Sequence, residues 1–135
     1  MMKRIVFILT LSFLFNSCNI GEAEDRDFVL LPVESVEMAT EYSIGNISEI
    51  KIRYKRPTDC HIFNKIYYSY DQNTRFVAIE AVKLNQSNCA PDNESIFEIP
   101  LYFKPESAGT YIFKFWLGVN EQNVDQYLIH EVDVL

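Results

Sequence analysis

Alternation of apolar and polar residues with a period of two is the feature that most restricts the fold of this chain. It is clearest in residues 48–55. There the alternating sets are Ile50, Ile52 and Tyr54 against Glu49, Lys51 and Arg53. A strand with one buried and one solvated face has this pattern, whereas a helix needs apolar residues every three or four positions. The sequence therefore predicts an all-β chain.

Similar patterns, separated by turn residues, predict seven antiparallel strands. One of them begins near Tyr111, and the other six are residues 33–40, 48–55, 61–70, 74–84, 94–103 and 126–134. Pro100 lacks a backbone donor, so its strand is expected at a sheet edge or a bulge. Short strands at this spacing are typical of a β-sandwich.

Residues 1–17 have the layout of a secretory signal peptide. The basic pair Lys3 and Arg4 precedes the apolar run 5–15, and the small residue Ser17 ends the segment. The run is shorter than the roughly 20 residues that a membrane-spanning helix needs. We therefore expect export of the chain and removal of residues 1–17.

The residue that follows this segment is Cys18. The junction LFNSC at residues 14–18 resembles the lipobox of bacterial lipoproteins, and in particular the endings of small Bacteroidota-type lipoproteins. The resemblance implies that Cys18 carries a diacylglycerol and an amide-linked fatty acid such as palmitate, which anchor the chain in the membrane. Asn19 favours the outer membrane over the inner one. The alternative is an ordinary cleaved signal, with Cys18 as a free or disulfide-bonded cysteine.

An acidic segment follows the junction, and it contains Glu22, Glu24, Asp25 and Asp27. We assign residues 18–31 to the anchor cysteine and a tether, and residues 32–135 to one folded domain. The formal net charge is −7, and removal of the basic leader lowers it further. This charge argues against nucleic-acid binding and against electrostatic attachment to anionic headgroups, so the lipid must hold the protein at the membrane.

With Cys18 assigned to lipid, Cys60 and Cys89 remain. An even pair in an exported chain predicts a disulfide, and two buried thiols are the alternative. The pair flanks the predicted hairpin of residues 61–84, so a bridge would join the open end of that hairpin.

The turn 105–110 leads into Tyr111. This segment resembles the tyrosine corner of immunoglobulin-like sandwiches, in which a Tyr hydroxyl bonds back to upstream backbone. The resemblance implies an Ig-like β-sandwich of the bacterial accessory type over residues 32–135. In such a sheet the sixth strand would lie between the third and the seventh.

Strand parity then predicts an exposed apolar patch on the outer face of that sheet. Its expected members are Tyr67, Ile112, Trp116, Tyr127 and Ile129. Trp and Tyr are favoured anchors in binding sites. The alternative parity would bury Trp116 and expose Phe113 and Phe115, which places two large apolar rings in water instead of one.

Catalytic and cofactor motifs are absent from the sequence: there is no phosphate-binding loop and no nucleophile elbow. The two histidines, His61 and His130, lack ligand spacing, although a metal site with Asp59 stays open as an alternative. We therefore expect no enzyme activity, no cofactor and no metal.

Three hypotheses follow. The first is a lipid-anchored, non-catalytic module of the cell envelope that binds a protein partner through the aromatic patch. The second is a glycan-binding surface lipoprotein, which needs a concave surface with acids or amides such as Asp125 or Gln126 beside the rings. The third is a hydrolase or metal enzyme, which needs His61, His130 and an acid close together.

Overall fold

The computed structural model describes residues 25–135. These residues form nine strands and no helix: β1 (Arg26–Leu31), β2 (Val33–Glu37), β3 (Glu41–Tyr42), β4 (Ser48–Tyr54), β5 (His61–Asp71), β6 (Thr74–Leu84), β7 (Phe97–Phe103), β8 (Gly109–Val119) and β9 (Asp125–Val134). The predicted all-β class is therefore confirmed. The predicted signal peptide and Cys18 lie outside the described residues.

The strands build two packed sheets. A large sheet has β8 and β9 at its centre, with β6, β5 and β1 on one side and β3 on the other, and a small sheet has the order β2–β4–β7. The inner faces of both sheets supply the core, which includes Ile50 and Ile52 from β4 and Phe113 and Phe115 from β8. Such two-layer packing is the architecture of a β-sandwich.

The predicted count of seven strands is wrong, because β1 and β3 were not anticipated. Strand β1 pairs antiparallel with β6 from Arg26↔Leu84 to Leu31↔Ile79. The folded domain therefore begins earlier than predicted, since residues 26–31 had been assigned to the tether. Leu31 is fully buried, which explains why this segment is drawn into the sheet.

The prediction of a purely antiparallel sheet is also wrong. Strand β6 runs parallel to β8 over Thr74–Val77 and Ile112–Phe115, and the short β3 runs parallel to β9. The neighbour of β8 is thus β6, the fourth predicted strand, and not the third predicted strand, which is β5.

Sequence explains why β6 is interior and β5 is not. Val77, Ala78 and Ile79 are consecutive and all buried, so β6 needs cover on both of its faces, as central strands do. Strand β5 pairs only with β6. It carries the exposed Lys65 and an irregularity between Phe63 and Lys65, which are features of edge strands.

A disulfide and a tyrosine hydrogen bond fix the ends of strands in the large sheet. The predicted Cys60–Cys89 disulfide is confirmed, with 5.5 Å between the Cα atoms, and it joins the start of β5 to the loop after β6. The Tyr111 hydroxyl donates a hydrogen bond to the Ser107 carbonyl oxygen at 3.1 Å, so the turn before β8 is tied to the strand it precedes.

Candidate functional site: an aromatic cleft on the outer face of the large sheet

Alternate residues of β8 point to opposite faces of the large sheet. Phe113 and Phe115 are completely buried in the core, whereas Ile112 and Trp116 are half-buried on the outer face. This orientation avoids placing two phenylalanine rings in water.

Strands β1 and β8 pair with different parts of the same edge of β6, and the outer face is open at the gap between them. Strand β1 pairs with β6 as far as Ile79, and β8 pairs with β6 only as far as Val77. The intervening residue, Ala78, pairs with neither of them, and its small side chain leaves a depression at this point. The cleft has a volume of about 480 Å³, which is within the range of small-molecule and anchor-residue sites.

A β-bulge in β8 lies at the end of the cleft. Trp116 pairs with Tyr127 and Gly118 pairs with Gln126, so Leu117 is the extra residue. Gly118 has a φ of 103°, which a residue with a side chain rarely adopts. Bulges bend a strand and increase its twist, so this one helps to turn β8 away from β6 beside Trp116.

Aromatic rings line the cleft. Tyr67, Phe76, Trp116, Tyr127 and Phe28 all contribute to it. The Phe76 and Tyr127 rings meet edge to face with 6.1 Å between centroids, a geometry that aromatic pairs favour. The ammonium of Lys114 lies 5.5 Å from the centre of the Phe76 ring, so one member of the cluster already contacts a cation.

Two carboxylates also line the cleft. Asp125 accepts a hydrogen bond from the indole Nε1 of Trp116 at 2.8 Å, which fixes the ring. Glu80 accepts a hydrogen bond from the Asn64 amide at 2.6 Å and lies 3.7 Å from the ammonium of Lys65. Among residues 25–135, no lysine or arginine lies within ion-pair distance of Asp125, so its charge is not neutralised.

Asp125 gives the aromatic cleft a local negative charge beside Tyr127. The pKa of Tyr127 is raised above its ordinary value, first by desolvation and then by the negative charge of Asp125 and the neighbouring Tyr67. A carboxylate disfavours a second negative charge close to it. The cleft therefore suits neutral ligands with hydroxyl or amide donors and ligands with a positive charge.

Three of the five predicted patch residues lie together in the cleft: Tyr67, Trp116 and Tyr127. Ile129 and Ile112 flank Lys114 on the same face, since Ile129 pairs directly with Lys114 and Ile112 lies two residues before it on β8. Tyr67 is 47% exposed and Ile129 is 55% exposed. We use the name outer-face cleft for the site formed by Tyr67, Phe76, Ala78, Glu80, Trp116, Asp125, Tyr127 and the adjoining part of β1.

Sequence reasoning missed Phe28, Phe76, Ala78 and Glu80. It treated Phe28 as part of the tether and placed β5 rather than β6 beside β8. The available signal was the apolar character of both faces of residues 76–82, which indicates a central strand.

The structure does not bring the two histidines together with an acid. Within the described chain, the metal-ligand types that lie together are Asp59, Cys60 and Cys89, and the two sulfurs are joined in the disulfide. His61 is nearly buried and hydrogen-bonds through Nδ1 to the Thr58 hydroxyl at 2.9 Å. Desolvation lowers its pKa. The His130 ring packs edge-on against Phe115.

Fold and site together define a two-sheet β domain with an aromatic, acidic cleft on one outer face. Comparison with protein-family models, with curated proteins and with solved structures finds no match. Among the described residues, no helix has the length and apolar character needed to cross a membrane.

Proposed function

We propose that this chain is an exported, lipid-anchored, non-catalytic binding module of the bacterial cell envelope, and that the outer-face cleft is where it contacts a protein partner. The observation that carries the proposal is a depression lined by Tyr67, Trp116 and Tyr127 beside the carboxylate of Asp125, which has no ion-pair partner within residues 25–135. Pockets flanked by aromatic rings commonly receive the anchor residue of a partner.

The surface around the cleft favours a protein over a smaller ligand. Phe28 is 64% exposed on one side of it, and Ile62 and Ile129 are exposed further along the same face. An apolar surface that extends beyond its own pocket is typical of an interaction face. Because the pocket is acidic, a basic side chain of the partner is the complementary anchor, held by rings and carboxylate together.

The anchor part of the proposal depends on Cys18 and on the signal pattern of residues 1–17. Substitution of Cys18 by Ala should release the protein from the membrane fraction, because a chain without lipid keeps no electrostatic attraction to anionic headgroups. Retention of the Cys18→Ala variant in washed membranes would contradict lipid anchoring.

The Ig-like type of the sandwich is also part of the proposal. The hydrogen bond from Tyr111 to the Ser107 carbonyl supports it, since it has the form of a tyrosine corner. The parallel pairing of β6 with β8 departs from that family's sheet, so the domain would be a rearranged member.

The binding test is a pull-down of the native, lipidated protein from detergent-solubilised membranes. We expect a specific partner with wild type and its loss with Trp116→Ala and with Tyr67→Ala. The matched control is Tyr102→Ala, which removes an exposed tyrosine from the small sheet. A partner retained by Trp116→Ala, or lost equally with Tyr102→Ala, would overturn the assignment of the cleft.

Glycan binding is the second candidate, favoured by the concave shape of the cleft and by carboxylates beside its rings. Sugar rings can lie on Trp116 and Tyr127 while their hydroxyls donate to Asp125. The chain contains one tryptophan, so its fluorescence reports on this cleft alone. A saturable fluorescence change with neutral oligosaccharides, weakened by Asp125→Asn, would favour this candidate over the protein partner.

A further inference from the structure

A second cleft lies on the inner face of β5 and β6, between the two sheets. Odd-numbered residues of β6 and even-numbered residues in the second half of β5 face inward, so Arg75 and Tyr68 line this cleft. Their neighbours Phe76 and Tyr67 face the other way and line the outer-face cleft. The end of β7 and the loop after it form the other wall. The volume is about 530 Å³. We call it the inter-sheet cleft.

Tyrosine rings surround the guanidinium of Arg75 in this cleft. Its central carbon lies 4.7 Å from the centre of the Tyr111 ring and 5.3 Å from that of Tyr70, distances at which cation–π attraction acts. Tyr68 stands beside it on β5. The rings hold the planar group in place, so little side-chain entropy remains to be lost when a ligand binds.

The charge of Arg75 is not neutralised by the described part of the chain. Its Nη1 donates hydrogen bonds to the carbonyl oxygens of Gln72 at 2.6 Å and of Thr74 at 3.2 Å, and both acceptors are uncharged. No carboxylate within residues 25–135 lies within ion-pair distance of Arg75. By contrast, Lys51 and Arg53, the two basic residues in the strands of the small sheet, do have acidic partners.

Lys104 adds a second positive charge to the same cleft. It also has no ion-pair partner among the described residues, and Glu106 is the one acidic residue that lines the cleft there. Two unneutralised cations in one concavity are notable on a chain with a net charge of −7. The surrounding negative charge does not itself attract anions, so an anion would be held by these local groups.

We propose that the inter-sheet cleft is a second binding site, and that it takes a ring-shaped ligand carrying a carboxylate. The carboxylate lies against Arg75 and Lys104, and the ring lies on the exposed faces of Tyr68 and Tyr70. Arginine matches the fork geometry of a carboxylate. Tyr70 is 72% exposed, so its ring is free to accept a flat partner, and the cleft has room for one or two ring units.

Two sources could supply this chemistry, an acidic sugar and an aromatic acid. The probes are therefore D-glucuronate and 4-hydroxybenzoate, with D-glucose and 4-hydroxybenzyl alcohol as their uncharged counterparts. Each is titrated to about 10 mM into the ¹⁵N-labelled domain with its disulfide intact, and binding is followed by NMR shifts of the β5–β6 amides. We expect saturable shifts with at least one acid and at least tenfold weaker binding of its uncharged counterpart.

The control variants separate this site from the outer-face cleft. Lys104→Gln removes a charge without touching the core, and we expect it to weaken binding about twofold to fivefold. Arg75→Gln should abolish binding, and Arg75→Lys should restore only part of it, because lysine lacks the planar fork. Trp116→Ala should leave the titration unchanged, so failure of the proposed function and failure of this inference give different results.

The inference would be overturned if neither acid produced saturable shifts, or if each uncharged counterpart bound as tightly as its acid. Undiminished binding by Lys104→Gln together with Arg75→Lys would also overturn it. If Arg75→Gln fails to fold, as judged by its amide spectrum, the decision rests on Lys104→Gln and on the acid-to-neutral ratio.

Discussion

The two clefts share one hairpin and differ in the sign of their charge. On the outer face, Trp116 and Tyr127 lie beside the carboxylate of Asp125, which has no ion-pair partner among the described residues. Between the sheets, Tyr70 and Tyr111 pack against the guanidinium of Arg75, which has no carboxylate partner in the part of the chain that the structure describes. Because side chains alternate along a strand, neighbouring residues of β5 and β6 supply opposite clefts. Two sites with different ligand preferences can therefore be built on the two faces of the same hairpin.

The largest expected effect is a loss of folding stability, and it distinguishes the β8 residues that form the core from those that line a cleft. Phe115→Ala removes a fully buried ring that packs on Phe113, and we expect it to cost about 3–5 kcal/mol in the free energy of unfolding. Trp116→Ala, one residue further, removes a half-buried ring and should cost about 1 kcal/mol. Urea denaturation of both variants measures the difference. Equal losses would mean that Trp116 belongs to the core.

The next largest expected effect comes from removing the disulfide at the open end of the β5–β6 hairpin, which shows whether both clefts depend on it. The Cys60→Ser/Cys89→Ser double variant opens a loop with a sequence separation of 29 and should lose about 3 kcal/mol. Hydrogen exchange should rise in β5 and β6 and hardly change in β8 and β9, since those strands keep their own pairing. Uniform acceleration across all four strands would contradict this division.

The smallest expected effect is a change in two tyrosine pKa values, and it tests directly whether the two clefts carry opposite charge. Burial is the main cause that raises the pKa of Tyr127, and the negative charge of Asp125 raises it further. Burial also raises the pKa of Tyr68, but the positive charge of Arg75 opposes that rise. A phenolate is disfavoured by a carboxylate and favoured by a guanidinium. Asp125→Asn should therefore lower the pKa of Tyr127, and Arg75→Gln should raise the pKa of Tyr68.

The measurement is NMR of ¹³C-labelled tyrosine rings from about pH 8 to 12, around the ordinary tyrosine value of about 10. Tyr68→Phe and Tyr127→Phe variants assign the two resonances, and wild type provides the reference. Shifts of the two tyrosines in the same direction, or no shift in either variant, would mean that the two clefts do not differ in electrostatic potential as the structure indicates.

Much of the fold follows from local patterns. The residues of β4, β5, β6 and β9 could be bounded closely because each shows alternation or an apolar run between turn residues. The inward direction of Phe113 and Phe115 could be predicted from apolar burial alone. The disulfide could be predicted from the expected export of the chain, because exported proteins normally join an even pair of cysteines.

The order of strands in the large sheet could not be predicted in the same way. It depends on which strands meet across long sequence separations, and an analogy with Ig-like sheets placed β5 beside β8. Phe76, Ala78 and Glu80 were missed for this reason, although the apolar character of both faces of β6 pointed to a central strand. Arg75 and Lys104 were missed because Arg75 lies on β6 of the large sheet and Lys104 follows β7 of the small sheet, and no local pattern relates the two positions.

The most direct test of the outer-face cleft is site-specific photo-crosslinking in intact cells, with the protein in its native membrane. A photoreactive amino acid is placed at Tyr67 in the cleft and, as the matched position, at Tyr102 on the small sheet. We expect a discrete crosslinked protein from position 67 that disappears when Trp116→Ala is added, and none from position 102. Identical products from both positions, or no product from position 67, would contradict the assignment of this cleft as the partner-binding site.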